Sequence, residues 1–257
     1  MNKRKEIHST KSFSSPFCYF NSPNIEFMHF HDILRIELNE KGTYTTLKRD
    51  YLIVHSYSAF SNVNVNPPFE CIDMYDLHTT NLKDYKCMII SGMVDQDYLA
   101  EQKDLLEVFL NDGKLVCFFG NLITGWLPGQ QPYEVQEIRW HGDYDLTIEK
   151  EHPIFEGVNV NEMTSKMGVK GIFARGSHPA PPNAEILLTL PGNKAVTFID
   201  RESTNGTIFM HSGSTFFHTT GMNPKKGMST ERIPAQMLAW AEAECEALAT
   251  KGGNRDA

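Results

Sequence analysis

From Asp50 onward the apolar positions fall into short, regularly spaced runs. Tyr51 to Ala59 (YLIVHSYSA), Phe69 to Leu77, Lys86 to Gly92 (KCMIISG) and Lys114 to Phe119 (KLVCFF) each read as a strand. The third and fourth are almost continuously apolar, the pattern of a strand covered on both faces. Between them, Asp95 to Asn111 predicts a helix. Asp95 caps its first amides, Tyr98, Leu99, Leu105, Leu106, Phe109 and Leu110 form one apolar stripe, and Gly113 stops it. A strand, a helix and a strand joined by short turns imply a crossover connection and a parallel sheet.

Beyond Gly120 the periodicity lapses through Trp126, Pro128, Gly129 and Pro132. Asp143 to Lys150 alternates as a further strand. Glu185 to Leu190 and Ala195 to Asp200 flank Pro191-Gly192-Asn193, a hairpin signal. Thr207 to His211 (TIFMH) is another buried strand. A last helix opens at Ser229 or Thr230, with Pro234 in its first turn and Ile233, Met237, Ala241, Cys245 and Leu248 along one side. Residues 1–48 differ: aromatics mix with Ser, Pro and Asn from Phe13 to Phe30, and Ile33 to Leu38 alternates before a Lys41-Gly42 turn. The expected organisation is a β-rich N-terminal extension over 1–48 packed on the domain, an α/β domain over 49–250 and a loose tail over 251–257.

A chain of 257 residues with 40% hydrophobic content, 16 Phe and 9 Tyr has ample material for a core. Its net charge of −8, with basic runs only at Lys3-Arg4-Lys5 and Lys225-Lys226, argues against nucleic-acid binding. No stretch approaches the roughly 18 apolar residues of a membrane span, and the first 15 residues lack the apolar core of a secretory signal. Five cysteines without a CxxC pair are expected to be reduced thiols, which points to a cytoplasmic protein.

In open parallel sheets, ligands bind beyond the carboxyl ends of the strands. That rule selects His55 to Asn62, Ser91 to Gln96, Gly120 to Gly125 and His211 to Thr220. Within them His55, Ser56, Ser91, Gly92, Gly120, Asn121, Ser212 and His218, together with Trp126 on the long loop that follows Gly125, are the candidate ligand-binding residues, and His211 the candidate base. Each has a plainer reading: His211 as a strand-end histidine bonded to a carbonyl, His55 and Ser56 as a turn, Trp126 as an anchor for its loop. His29, His31 and Asp32, like His141 with Asp143, offer only fragments of a metal site, so no metal is expected. Neither G-x-S-x-G nor a glycine-rich phosphate loop occurs, so no cofactor is implied.

The segments DYLIVHSYSAF, YKCMIISGMVDQD, GKLVCFFGNLITGW and NGTIFMHSGSTFFHTTG, in that order, resemble the class I glutamine amidotransferase-like superfamily, and within it the trehalose-utilisation (ThuA-like) branch. The resemblance implies a flavodoxin-like parallel sheet flanked by helices, here with an added β-hairpin. It also implies a nucleophilic cysteine on an elbow after the Lys114–Phe119 strand. That elbow falls at Gly120 or Asn121, neither a nucleophile, and Cys117 lies upstream inside the strand. His211 ends the later strand, but Ser212 and Gly213 follow where the family keeps a glutamate. Glutaminase activity is therefore not expected. The expected role is binding of a small polar ligand, a carbohydrate or metabolite, at the carboxyl edge of the sheet. Its rivals are a hydrolase or isomerase of a sugar-like substrate using His211 as base, and a non-catalytic subunit that docks a protein partner or a second copy.

Overall fold

The structure, a computed structural model, describes residues 36–38, 44–46, 48–56, 65–166, 169–171, 173–217 and 227–253. The chain divides into two compact units, Met1–Thr46 and Leu47–Ala257. The described part of the first is an antiparallel pair of short strands, Ile36–Leu38 with Tyr44–Thr46.

The second unit is α/β and built on one eight-stranded sheet. Its strands are β1 (Tyr51–His55), β2 (Phe69–Asp73), β3 (Cys87–Ser91), β4 (Leu115–Phe119), β5 (Thr147–Ile148), β6 (Glu185–Leu190), β7 (Lys194–Asp200) and β8 (Thr207–His211). They lie in the order β2-β1-β3-β4-β8-β7-β6-β5. The pairings from β2 across to β8 are parallel, and those of β8, β7, β6 and β5 antiparallel. β5, β6 and β7 come between β4 and β8 in the sequence but lie beyond β8 in the sheet. The expected hairpin is β6–β7, turned by Gly192 and Asn193 with φ of 87° and 56°, which suits the residues found there.

Side chains alternate across the parallel strands, so every strand feeds two cores. Leu52, Val54, Met88, Ile90, Val116 and Phe118 face Leu99, Leu106, Phe109 and Leu110 of two consecutive helices, α1 (Gln96–Glu101) and α2 (Lys103–Asn111). On the other face Ile53, Ile89, Cys117 and Phe209 meet Met237, Trp240, Ala241 and Cys245 of the C-terminal helix. We label the short helix Val160–Thr164 α3 and the C-terminal helix, Ile233–Gly253, α4. Glu242 of α4 ties it to the sheet: it accepts from Tyr51 Oη at 2.8 Å and from Lys86 Nζ at 2.6 Å. Cys117 points into this core, as expected of a strand residue, and burial pushes its thiol above its ordinary pKa.

Three elements differ from expectation. The helix over 95–111 is broken at Gln102, whose φ of −97° and ψ of 12° close α1 before α2 begins, although the apolar stripe runs on across the break. The second strand stops at Asp73, because its carboxylate caps a 3-10 turn over Met74–Thr79 by accepting from Tyr75 N. The strand expected over 143–150 shrinks to Thr147–Ile148. There Asp143 accepts from Arg139 N and Trp140 N and holds a 3-10 turn over His141–Tyr144.

Replacing Phe109 by Ala is expected to cost about 3–5 kcal/mol, because the ring is buried against the sheet. Val108, its exposed neighbour, is expected to tolerate Ala within about 0.5 kcal/mol. Urea-unfolding midpoints of the two variants check this; equal losses would mean that the stripe does not face the sheet.

Candidate functional site

The parallel register places the ends of the strands in one row. His55 lies opposite Asp73, Ser91 opposite Phe119, Phe119 opposite His211, and His211 opposite Thr197. Directly opposed residues share a face of the sheet, so the sequence-selected Ser91 and His211 flank Phe119 on one side. Gly92, Gly120 and Ser212 follow one step beyond, at the lip.

Gly92 and Gly120 touch backbone to backbone. A Cβ on Gly92 would stand 2.8 Å from Asn121 N, and one on Gly120 would stand 2.8 Å from Gly92 Cα. Gly120 also has a φ of +130°, a region closed to other L residues. The ladder continues through the pair: Gly92 N donates to Phe119 O at 2.6 Å and Gly120 N to His211 O at 2.8 Å.

Above this floor opens a cleft of about 750 Å³, lined in part by Ser91, Gly92, Gly120, Asn121 and Ser212. Small-molecule sites commonly span roughly 300–1,000 Å³. A further wall is formed by Gly171, Phe173, Ala174 and Arg175 together with Tyr133 and Val135, beside the pairing of Glu134–Val135 with Gly176–Ser177. A smaller cavity of about 170 Å³ adjoins it, lined by His55, Cys71 and Ile89, and shares Ser91, Phe119 and Thr215 with the cleft. Five of the expected residues are therefore brought to one opening, with His55 beside it.

The others are placed differently. His211 is fully buried rather than at a mouth. The loop after β8 folds back so that Phe216 covers the ring, with centroids 4.2 Å apart, and Phe119 flanks it at 6.1 Å. Thr197 Oγ1 lies 2.7 Å from His211 Nδ1. Burial, with His178 nearby, pulls His211 down to about 3, while its hydrogen bond to the Phe173 backbone carbonyl opposes the shift. A buried, neutral ring held by Thr197 through Nδ1 weighs against its acting as a base at the cleft. Trp126 is buried too, edge-on to Phe118 at 5.5 Å, and anchors its loop. Ser56 Oγ donates to Met74 Sδ, and His55 Nδ1 lies 3.1 Å from Ser56 O, the turn arrangement. His218, like His29, His31 and Asp32, lies outside the described residues. His141 and Asp143 share the 3-10 turn noted above, and no group of three metal-ligating side chains occurs among the described residues.

Two residues not named as candidates from the sequence organise the site. Gln96, the first residue of α1, is buried and fully bonded. Its Nε2 donates to Asn121 O at 2.7 Å and Gly92 O at 3.3 Å, and its Oε1 accepts from Ile123 N at 2.8 Å and Trp126 Nε1 at 3.1 Å. His178, also fully buried, accepts from Leu122 N at 3.1 Å through Nε2, and burial pulls it down to about 4. Both staple the loop after β4 from below. A buried glutamine just after a capping aspartate was the available signal for the first; nothing local marks the second.

No family model matches the chain, and comparison with curated proteins finds no match.

Gln96→Leu strands the Asn121 carbonyl, the Ile123 amide and the Trp126 indole, each at about 1–3 kcal/mol. Hydrogen exchange at Ile123 is expected to quicken markedly, and less in Gln96→Glu, which keeps the acceptor side; unchanged exchange would refute the staple. A pH dependence follows as well. The unfolded chain protonates its histidines near 6.5, whereas folded His178 and His211 stay neutral to about 4 and about 3. Their stabilisation is thus complete above 6.5 and is lost as pH falls below it, each contributing a slope of up to about 1.4 kcal/mol per pH unit. His152, lowered chiefly by burial, adds in the same direction. Urea unfolding between pH 6.5 and 5 is expected to flatten in His178→Gln and in His211→Gln.

Proposed function

We propose that residues 49–250 form a glutamine amidotransferase-like domain of the ThuA-like kind that has no glutaminase chemistry and binds a small polar metabolite in the cleft above β3, β4 and β8. The observation that carries this reading is the cleft itself, with five residues selected from strand-end position alone, Ser91, Gly92, Gly120, Asn121 and Ser212, along one opening. Two further features support it. The parallel strands run β2-β1-β3-β4-β8, the 2-1-3-4-5 order of a flavodoxin-like sheet. At the expected elbow, Gly120 leaves no room for a side chain, because a Cβ would meet Gly92.

Hydroxyls and backbone groups dominate the polar lining, which suits holding a ligand by hydrogen bonds rather than attacking it. The buried, bonded state of His211 weighs against the rival enzyme that would use it as base.

The test is ligand-observed NMR against a library of sugars, polyols and small acids, with Ser214→Trp as the comparison. Ser214 is exposed and lines the cleft, so the indole fills it without disturbing the core. Compounds that bind the natural chain are expected to be lost from Ser214→Trp, and ammonia is not expected to be released from glutamine. Equal binding to both chains, or glutamine-dependent ammonia release, would overturn the proposal.

A further inference from the structure

The cleft is not evenly polar. Among the described residues that line it, Arg175 is the one with a charged side chain, and none carries a carboxylate. Arg175 Nε donates to Gly171 O at 3.1 Å, which fixes the plane of the guanidinium and leaves its two terminal nitrogens. No carboxylate lies within salt-bridge distance of it among the described residues. Arg175 is exposed at the cleft, so in a protein of net charge −8 it gives this opening a local positive charge. Tyr133 stands near enough for the guanidinium to counter the rise that burial gives its phenol.

The rim is the opposite in character. Met93, Ile123 and Val135 line the same cleft and are 84%, 62% and 74% exposed, large apolar side chains left in water. Val135 and Arg175 line the same cleft on neighbouring chain segments, joined by Gln136 N donating to Arg175 O at 3.0 Å. A planar guanidinium with one nitrogen anchored presents a fork that matches a carboxylate in two parallel hydrogen bonds. A single positive charge balances a single negative one. A polyanion would leave excess charge against the field of the molecule.

Resting on the proposal that the cleft holds a ligand, we infer that this ligand is an amphipathic monocarboxylate. Its carboxylate sits on Arg175 and its apolar body lies along Met93, Ile123 and Val135. The hydroxyls of Ser214 and Thr215 line the same cleft and are available to polar substituents on that body.

The test uses the full chain with methyl-labelled methionine, the Met93 resonance being assigned through Met93→Leu, and four probes: hexanoate, hexan-1-ol, acetate and glucose. Hexanoate is expected to move Met93 saturably and to bind at least tenfold more tightly than either hexan-1-ol or acetate, a gap of about 1.4 kcal/mol. Arg175→Gln is expected to erase the advantage of hexanoate over hexan-1-ol while leaving hexan-1-ol unchanged, and Arg175→Lys to restore part of it. If hexan-1-ol or glucose moves Met93 as well as hexanoate does, or the preference survives in Arg175→Gln, the monocarboxylate falls and the cleft as a ligand site stands. If no probe moves Met93, the monocarboxylate falls too, and the cleft is judged by the Ser214→Trp comparison alone.

Discussion

Where β3 and β4 end, two glycine backbones press together more closely than any pair of side-chain-bearing residues could. Neighbouring strands run about 4.8 Å apart, so a Cβ normally has space beside the next strand. Here a Cβ on Gly92 or on Gly120 would come within 2.8 Å of the other's backbone region. The contact lets the hydrogen-bond ladder run one residue past the strands, from Gly92 to Phe119 and from Gly120 to His211. The ends of β3, β4 and β8 are thereby brought level and form a floor. The φ of +130° at Gly120 then sends Asn121 over that floor, within reach of Gln96. Floor, loop and cleft all follow from that one approach.

The same contact bears on the missing nucleophile. Under the proposed reading, the turn after β4 is where the wider superfamily carries its cysteine. In this chain the turn is packed against Gly92, so a cysteine at position 120 would need β3 and β4 to separate first. On that reading, the departure from the superfamily is one of backbone geometry as well as of residue identity. The space beside Gly120 is given to close packing, and the cleft above is lined by hydroxyls, backbone groups, an apolar rim and Arg175.

The sheet was legible because each buried strand is a compact apolar run, and the β6–β7 turn because Gly192 and Asn193 adopt backbone angles few other residues tolerate. The glycines and Ser91 of the site were legible by position, since carboxyl strand ends define an edge wherever the sheet is parallel. What escaped was non-local or capped by a single carboxylate. Asp73 and Asp143 each collect backbone amides and turn a strand-like run into a 3-10 turn, a competition that alternation alone does not reveal. Arg175 comes from a stretch without period, and its place in the cleft depends on the pairing of Gly176 with Val135, far away in sequence.

His211 shows why residue type at a strand end is weaker evidence than the solvent it meets. Its position matched the expectation for a functional histidine, yet Phe216 closes over it. In so dry a setting a carboxylate would need a buried cation, whereas a neutral imidazole gives both an acceptor and a donor at little cost. Thr197 meets one nitrogen of His211, and Leu122 donates to one nitrogen of His178. The two rings therefore lie beneath the floor as uncharged hydrogen-bonding struts. The polarity that reaches the cleft is left to groups its lining presents directly, Asn121 and the serines at the strand ends together with Arg175.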